Sequence, residues 1–399
     1  MPVPVRWLQR VKTMHIISID KEFIAPTYGR FPVELVSGKG CLFTGSDGKE
    51  YIDMTSGIGV NAFGIADDAW IAAVTAQLGR LQHTSNLYYT EPCAHLAKLL
   101  CEKTGMKKVF FCNSGAEANE CAIKYARKYS QEKKGAAYST IITLVNSFHG
   151  RTLTTLAATG QEHFHQLFQP LTPGFVHVPA NDVSALEQAV AENKVAGILL
   201  ECVQGEGGVM ALTPEFITAA EAICKQQDIP LMIDEVQTGN GRTGKLYAYM
   251  HYGVQPDIVS TAKGLGGGLP IGATMVSEKL QDVLQPGDQG STFGGNPICC
   301  AGAVSILERL DDAFLAQVQE KGDYIFSQLE GAEGVISVSG LGMMVGIKTV
   351  KSAKDIVNAC IAQGVLCLTA KDKVRLLPPL NIPMEQLEKA VQIIKAACK

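Results

Sequence analysis

The chain has 399 residues, of which 46% are apolar, and a formal net charge of −4. This length suits one large domain and one smaller domain around a sizeable core, and the small negative charge gives no basic field that would attract nucleic acid. No apolar run is long enough to cross a membrane. The twelve cysteines form no Cys-x-x-Cys pair and are scattered through predicted strands and helices, which is typical of a protein kept reduced in the cytoplasm.

The first thirteen residues differ from the rest because they carry three basic residues and two prolines but no acidic residue. A fragment of a targeting peptide, an over-long start and a disordered leader all fit this composition, and we expect a disordered leader over residues 1–13. Residues 14–67 include a glycine-rich turn at 45–48 between two short strand-like runs. We expect this N-terminal segment to pack with the smaller domain.

Apolar runs then alternate with amphipathic segments, a pattern that indicates repeated strand–helix units. One such helix is predicted over Pro214–Gln227. The strands are predicted at Lys108–Cys112, Ile141–Val145, Gly197–Leu200, Pro230–Val236 and Asp257–Ala262. We therefore predict an α/β domain with a large, mostly parallel sheet over residues 68–296.

The pattern changes after Pro297, where two helices precede strand-like runs and further helices. The predicted segments are 298–310, 315–329, 335–339, 343–347, 353–362, 365–368 and a last helix from Met384. Helices and strands no longer alternate regularly, which favours a separate, smaller α+β domain over residues 297–399.

Asp234 and Lys263 stand at the ends of two successive predicted strands. The carboxyl ends of parallel strands line one edge of a sheet, where open α/β folds bind ligands. A lysine that forms a Schiff base and an aspartate that holds a pyridinium nitrogen are what pyridoxal phosphate requires of a protein. Taken singly, the aspartate is equally a helix cap or half of an ion pair, and the lysine a solvated one.

Other strand ends supply complementary groups. Ser114 and Glu117 have the spacing of a capping box, which predicts a helix N-terminus at Gly115 and Ala116. Free N–H groups there suit a phosphate, although an ordinary strand-to-helix turn explains the same residues. The next strand leads to Phe148, which can stack on a cofactor ring unless it is a core aromatic.

Several charged residues are candidates for binding a substrate. Arg151 can bind a carboxylate with two hydrogen bonds, and Arg375 offers a second such clamp. Glu201 and Glu206 follow another strand, and either can pair with an arginine when a substrate carboxylate is absent. The loop Gly290–Pro297 adds hydroxyls and N–H groups suited to phosphate. Each signal is weak alone, and convergence on one sheet edge strengthens all of them.

Five of these segments together resemble the signature motifs of class III pyridoxal phosphate-dependent aminotransferases. They are Phe111–Glu120, Ser147–Thr152, Asp234–Gly239, Ala262–Gly268 and Gly290–Pro297. Within that class, Ser56–Asn61, Thr84–Pro92 and Gln204–Gly208 most resemble acetylornithine aminotransferases. The resemblance runs from about residue 31 to the C-terminus.

The resemblance implies a fold type I homodimer with pyridoxal 5'-phosphate as cofactor. Lys263 would form the Schiff base and move a proton between substrate and cofactor, while Asp234 would keep the ring nitrogen protonated. The remaining implied cofactor residues are Gly115, Ala116, Phe148, Glu235, Val236, Gln237 and, from the partner subunit, Thr292.

For the substrates, the resemblance implies that Arg151 binds the donor α-carboxylate, with Ser291 of the partner subunit nearby. Arg375 would bind the far-side carboxylate of 2-oxoglutarate, and Glu206 would neutralise an arginine when the other substrate is bound; Glu201 is the alternative for that role. Two positions depart from the usual pattern, Gly64–Ala69 and Cys202. The first departure lies near the substrate entrance and leaves the donor open.

The expected reaction is transfer of the terminal amino group of N2-acetyl-L-ornithine to 2-oxoglutarate in arginine biosynthesis. Ornithine, succinylornithine, succinyldiaminopimelate and 4-aminobutyrate remain alternative donors. A nucleotide-binding module and a regulator without activity are rivals from other classes, but the chain has neither nucleotide-loop motif.

Overall fold

Residues 16–399 are described by the computed structural model, so the leader predicted for residues 1–13 lies outside the described residues. The strands, in chain order, are β1 Leu35–Lys39, β2 Leu42–Gly45, β3 Glu50–Asp53, β4 Lys108–Cys112, β5 Thr140–Leu144, β6 Phe175–Val178, β7 Val195–Leu200, β8 Val203–Gln204, β9 Met210–Ala211, β10 Leu231–Asp234, β11 Ile258–Thr261, β12 Gly272–Val276, β13 Val335–Leu341, β14 Met344–Thr349, β15 Val365–Leu366, β16 Leu368–Ala370 and β17 Lys373–Leu376.

Helices precede, separate and follow these strands. Most begin at a Ser, Thr, Asp or Asn whose side chain accepts a hydrogen bond from the first turn. Their bounds are Ile16–Phe23, Ser56–Gly59, Asp68–Leu78, Glu91–Thr104, Gly115–Lys134, Leu153–Ala158, Val183–Glu192, Pro214–Gln227, Pro297–Leu307, Asp312–Leu329, Ala353–Ala362 and Met384–Cys398. None of the helices within residues 16–399 combines the length and apolar content needed to span a membrane.

A seven-stranded sheet in the order β4-β12-β11-β10-β7-β5-β6 forms the centre of the molecule. Strands β11, β10, β7, β5 and β6 are parallel neighbours, whereas β12 runs antiparallel to both β11 and β4. Every residue of β7 and β10 is buried, as expected of parallel strands covered on both faces. The predicted α/β fold with a mostly parallel sheet is confirmed.

A second, antiparallel sheet of order β13-β14-β17-β16 lies in the C-terminal part of the chain. The helices Asp312–Leu329 and Ala353–Ala362 pack with it, and Met384–Cys398 packs against these two helices and β15. Strand β15 joins a different sheet, where it pairs in parallel with β3 from the N-terminal segment. Residues from the two ends of the chain therefore share one sheet, and β17 carries Arg375 towards the edge of the central sheet where Asp234 ends β10.

Candidate active site

A cavity of about 480 Å³ lies at the carboxyl ends of β10 and β11. Its wall brings together residues at the ends of five strands, β4, β5, β7, β10 and β11, as expected of a ligand site in an open α/β sheet. Of the residues predicted from the sequence, it includes Gly115, Ala116, Phe148, Arg151, Asp234, Val236, Gln237 and Lys263.

Asp234 is the last residue of β10 and is only 4% exposed. Its Oδ2 accepts hydrogen bonds from Asn119 Nδ2 at 2.7 Å and from His149 Nδ1 at 2.8 Å, and its Oδ1 accepts one from Val236 N at 3.0 Å. These three donors fix the carboxylate in the cavity wall. The sequence interpretation gave Asn119 no role, although its position four residues after Gly115 places it on the same face of the helix.

Lys263 follows β11 and adopts the left-handed backbone region, with φ of 42°. This conformation is unfavourable for a residue with a side chain and is concentrated at functional sites. Burial lowers the pKa of the Lys263 ammonium, and the nearby charge of Arg375 also lowers it. The carboxylates of Glu206 and Asp234 act in the opposite direction but do not outweigh the burial. A lowered pKa increases the fraction of neutral amine, which is the nucleophilic form.

The helix predicted at Gly115 begins at that residue, with Ser114 as its cap. Ser114 Oγ accepts a hydrogen bond from Glu117 N at 3.2 Å, and the Glu117 carboxylate accepts one from Asn113 N at 3.0 Å. Within residues 16–399, no group accepts from the N–H groups of Gly115 and Ala116, which therefore face the cavity as anion donors.

Gly115 also lets this helix end approach the loop after Asp234. A Cβ atom built on Gly115 would lie 2.6 Å from Val236 Cγ1, which is closer than real side-chain contacts. A glycine is thus required if the two loops are to line one cavity.

Phe148 and Arg151 lie on the wall contributed by the segment after β5. The Phe148 N–H donates to Glu201 Oε2 at 2.9 Å. The guanidinium carbon of Arg151 lies 5.8 Å from the centroid of the Phe148 ring and 4.8 Å from that of Phe164, an arrangement that orients a cation by its aromatic neighbours. Phe164 was not singled out from the sequence.

Arg375 is 3% exposed and reaches two residues at the edge of the cavity. Its Nη1 donates to Glu206 Oε1 at 2.5 Å and to Gln237 Oε1 at 3.2 Å. Burial raises the pKa of the Glu206 carboxyl, but the Arg375 charge and hydrogen bond outweigh it, and the pKa is lowered. Glu201 instead accepts from the backbone N–H groups of Phe148 and Gly205. The carboxylate paired with Arg375 is therefore Glu206.

Five predicted residues do not line this cavity: Glu206 and Arg375, which contact its lining residue Gln237, and Glu235, Ser291 and Thr292. Ser291 and Thr292 line a second cavity of about 460 Å³, and Ser291 Oγ accepts a hydrogen bond from Asn113 Nδ2 at 3.0 Å. Glu235 is fully buried, and its carboxylate accepts from Thr238 Oγ1 and the Tyr249 N–H. Adjacent residues at a strand end point to opposite faces, so the side chain of Glu235 faces away from the cavity that Asp234 lines.

Comparison with known proteins identifies the family. The model of the family described as Aminotransferase class-III matches residues 23–398. The chain belongs to the class III aminotransferases. It is 53% identical to an acetylornithine aminotransferase of Haemophilus ducreyi over 95% of this chain and 97% of the relative. An acetylornithine aminotransferase of Methanocaldococcus jannaschii is 44% identical over 95% of this chain and 96% of the relative.

Solved structures agree with this family. An ornithine aminotransferase from Toxoplasma gondii, whose active site holds pyridoxal phosphate at partial occupancy, matches with a TM-score of 0.94 and 31% identity, covering 100% of this chain and 98% of that one. An N-acetylornithine aminotransferase from Stenotrophomonas maltophilia K279a matches with a TM-score of 0.82 and 35% identity, and the match covers 96% of this chain and 98% of that one. The predicted fold type, aminotransferase class and cofactor are confirmed, and neither the nucleotide-binding module nor the inactive regulator is supported.

The cavity of this class III aminotransferase fits pyridoxal phosphate. The N–H groups of Gly115 and Ala116 offer a cradle for its phosphate, and the buried carboxylate of Asp234 suits a protonated ring nitrogen. Lys263 supplies the amine, and the apolar side chains of Phe148 and Val236 line the wall between them. When bound, the cofactor supplies the electron sink that lets an amino group leave one carbon for another.

Proposed function

We propose that this aminotransferase transfers the terminal amino group of N2-acetyl-L-ornithine to 2-oxoglutarate, giving N-acetyl-L-glutamate 5-semialdehyde and L-glutamate. The observation that carries the proposal is the ion pair between Arg375 and Glu206, which contacts the cavity through Gln237, a residue that lines it together with a second arginine, Arg151. The names of the relatives at 43–53% identity support the same donor.

The argument follows from the number of carboxylates on each substrate. 2-Oxoglutarate carries two, and the two arginines can bind one each. N2-acetylornithine carries one, so one buried arginine would be left without a counter-ion, which is costly. Glu206 can neutralise Arg375 during that half-reaction and withdraw when 2-oxoglutarate arrives. Only 31% of the Glu206 side chain is exposed, so its charge acts on Arg375 with limited screening.

The remaining residues have roles that follow from their positions. The lowered pKa of Lys263 increases the neutral fraction of its ε-amino group, and this amine would move a proton between the donor carbon and the cofactor. Asp234 keeps a proton on the ring nitrogen, and Asn119 and His149 hold its carboxylate in place. Arg151, between its two aromatic neighbours, binds the carboxylate that both substrates share.

We further propose a homodimer in the cytoplasm that serves arginine biosynthesis. In such a dimer, Thr292 of each subunit would assist the phosphate of the other, and Ser291 would lie near the donor carboxylate. Support comes from the position of both residues in a second, surface-facing cavity with exposed Tyr88 and Tyr89. The cysteines are all free thiols, as in a reducing compartment.

The test is a comparison of amino donors on the purified holoenzyme. Single-turnover rates would be measured with N2-acetylornithine, ornithine, succinylornithine, succinyldiaminopimelate and 4-aminobutyrate. We expect the highest kcat/KM with N2-acetylornithine. Ornithine is the second candidate because the Toxoplasma gondii ornithine aminotransferase has so similar a structure, and a preference for free ornithine would refute the proposal. Lys263→Ala is the control, since it removes the amine and should abolish turnover with every donor.

A further inference from the structure

The side chain of Asn240 is buried next to the turn that carries Lys263 and does not itself line the cavity described above. It is 2% exposed and lies in the loop that runs from Asp234, six residues after that carboxylate. Its Nδ2 donates to Thr261 Oγ1 at 3.0 Å and to the carbonyl oxygen of Ala262 at 3.2 Å. These are the two residues directly before Lys263, so the amide is hydrogen-bonded to the segment that leads into the lysine.

The geometry at this point is unfavourable for the chain on its own. Lys263 has a positive φ of 42°, and Asn240 has one of 56°. Such conformations persist only where the surroundings enforce them. The amide of Asn240 is a contact that can enforce the turn.

The orientation of the amide is fixed by its partners. A carbonyl oxygen only accepts, so the Asn240 NH2 group must point to Ala262. As a result, Asn240 Oδ1 is buried without a hydrogen-bond partner among the described residues. Asn240 also packs against the residue after the lysine, because a Cβ built on Gly264 would lie 3.2 Å from Asn240 Cβ. The side chain therefore contacts the turn on both sides of Lys263.

We propose that Asn240 is a positioning residue for Lys263: its amide holds the turn after β11 so that the lysine amine stays directed at the cofactor. Because Asn240 lies on the same loop as Asp234 and Gln237, it also fixes the distance between the lysine and the residues expected at the ring. The inference concerns the cofactor lysine and does not depend on the amino donor.

Two substitutions separate the amide from the backbone. Asn240→Gly tolerates the positive φ but removes the side-chain amide. Asn240→Ala removes the amide and is also less favourable at a positive φ. Gln77→Ala is the matched control. Gln77 is 6% exposed, and its amide donates to the Leu81 carbonyl oxygen at a distance of 2.8 Å. Gln77 does not line the cavity. All three proteins would be purified with cofactor, and their melting temperatures would be measured.

The readout is the covalent link between Lys263 and pyridoxal phosphate. It would be followed by the pH titration of the visible absorbance of the holoenzyme and by the rate at which added cofactor is captured by cofactor-free protein. We expect both Asn240 variants to shift the titration midpoint and to capture cofactor about tenfold more slowly, the effect of losing one well-placed hydrogen bond. Gln77→Ala should change neither quantity. In the Asn240 variants, KM for 2-oxoglutarate should change by less than about twofold.

The opposite results would overturn the proposal. If Asn240→Gly captured cofactor at the wild-type rate with an unchanged titration midpoint, the amide would not position the lysine. If Gln77→Ala slowed capture as much as the Asn240 variants did at a similar loss of melting temperature, the effect would be one of general stability, and the proposal would fail equally.

Discussion

Replacing Glu206 by Gln tests the role of the ion pair with Arg375 in accommodating two substrates. The substitution keeps the shape of the side chain and removes its charge. A charge-assisted hydrogen bond contributes roughly 1.5–3 kcal/mol, and the 31% exposure of Glu206 favours the lower end of that range. In the variant, 2-oxoglutarate and glutamate no longer have to displace a carboxylate from Arg375.

We therefore expect the variant to bind 2-oxoglutarate about tenfold more tightly, because about 1.4 kcal/mol corresponds to a factor of ten. N2-acetylornithine should bind less well, since Arg375 is left without a counter-ion in that complex. The ratio of kcat/KM for N2-acetylornithine to that for glutamate should thus fall by at least about tenfold. The ratio is measured from the change in visible absorbance in each half-reaction alone.

Glu201→Gln is the matched control for this prediction. Glu201 lines the active-site cavity but bonds to backbone N–H groups and not to Arg375. Its substitution should leave the ratio of the two donors within about twofold, whatever it does to kcat. A ratio that moves with Glu201→Gln and not with Glu206→Gln would refute the reasoning.

Two further predictions concern the cradle and the pH dependence of stability. Gly115→Ala should weaken cofactor retention at least about tenfold in equilibrium dialysis, because its Cβ would lie 2.6 Å from Val236; Gly79→Ala, whose Cβ meets nothing within 3.5 Å, should retain cofactor normally. Burial raises the pKa of Glu235 from 4.5 to about 7, so between these values the folded state holds a proton that the unfolded chain releases, and the free energy of unfolding falls as pH rises. Glu235→Gln should remove up to about 3 kcal/mol of that fall between pH 5 and pH 7.5 in urea unfolding, and an unchanged slope would contradict the assignment.

Much of the fold was predictable because its periodicities are local. Helix 214–227 and strand 108–112 have the predicted bounds, since a capping threonine and an apolar run mark them directly. The antiparallel direction of β12 was not predicted. A run of apolar residues has the same pattern in either direction, and only pairing with distant strands sets its orientation.

The site shows the same division between local and tertiary information. Asp234 and Lys263 were predictable because strand ends in a parallel sheet meet at one edge. The carboxylate that pairs with Arg375 was not predictable, because Glu201 and Glu206 both follow β7 and differ only in where a short loop directs them. Asn119 lacked a signal of its own, because its contact with Asp234 depends on a helix packing across the sheet.

The antiparallel strand β12 has a consequence for the order in which the chain can fold. Among the strands of residues 16–399, β4, which leads into the Gly115 cradle, pairs only with β12, and β12 follows Lys263 in the sequence. During synthesis, β4 therefore has no partner in the sheet until β12 has left the ribosome. We expect cofactor capture to follow the pairing of β4 with β12, and bound cofactor then stabilises the folded chain by mass action.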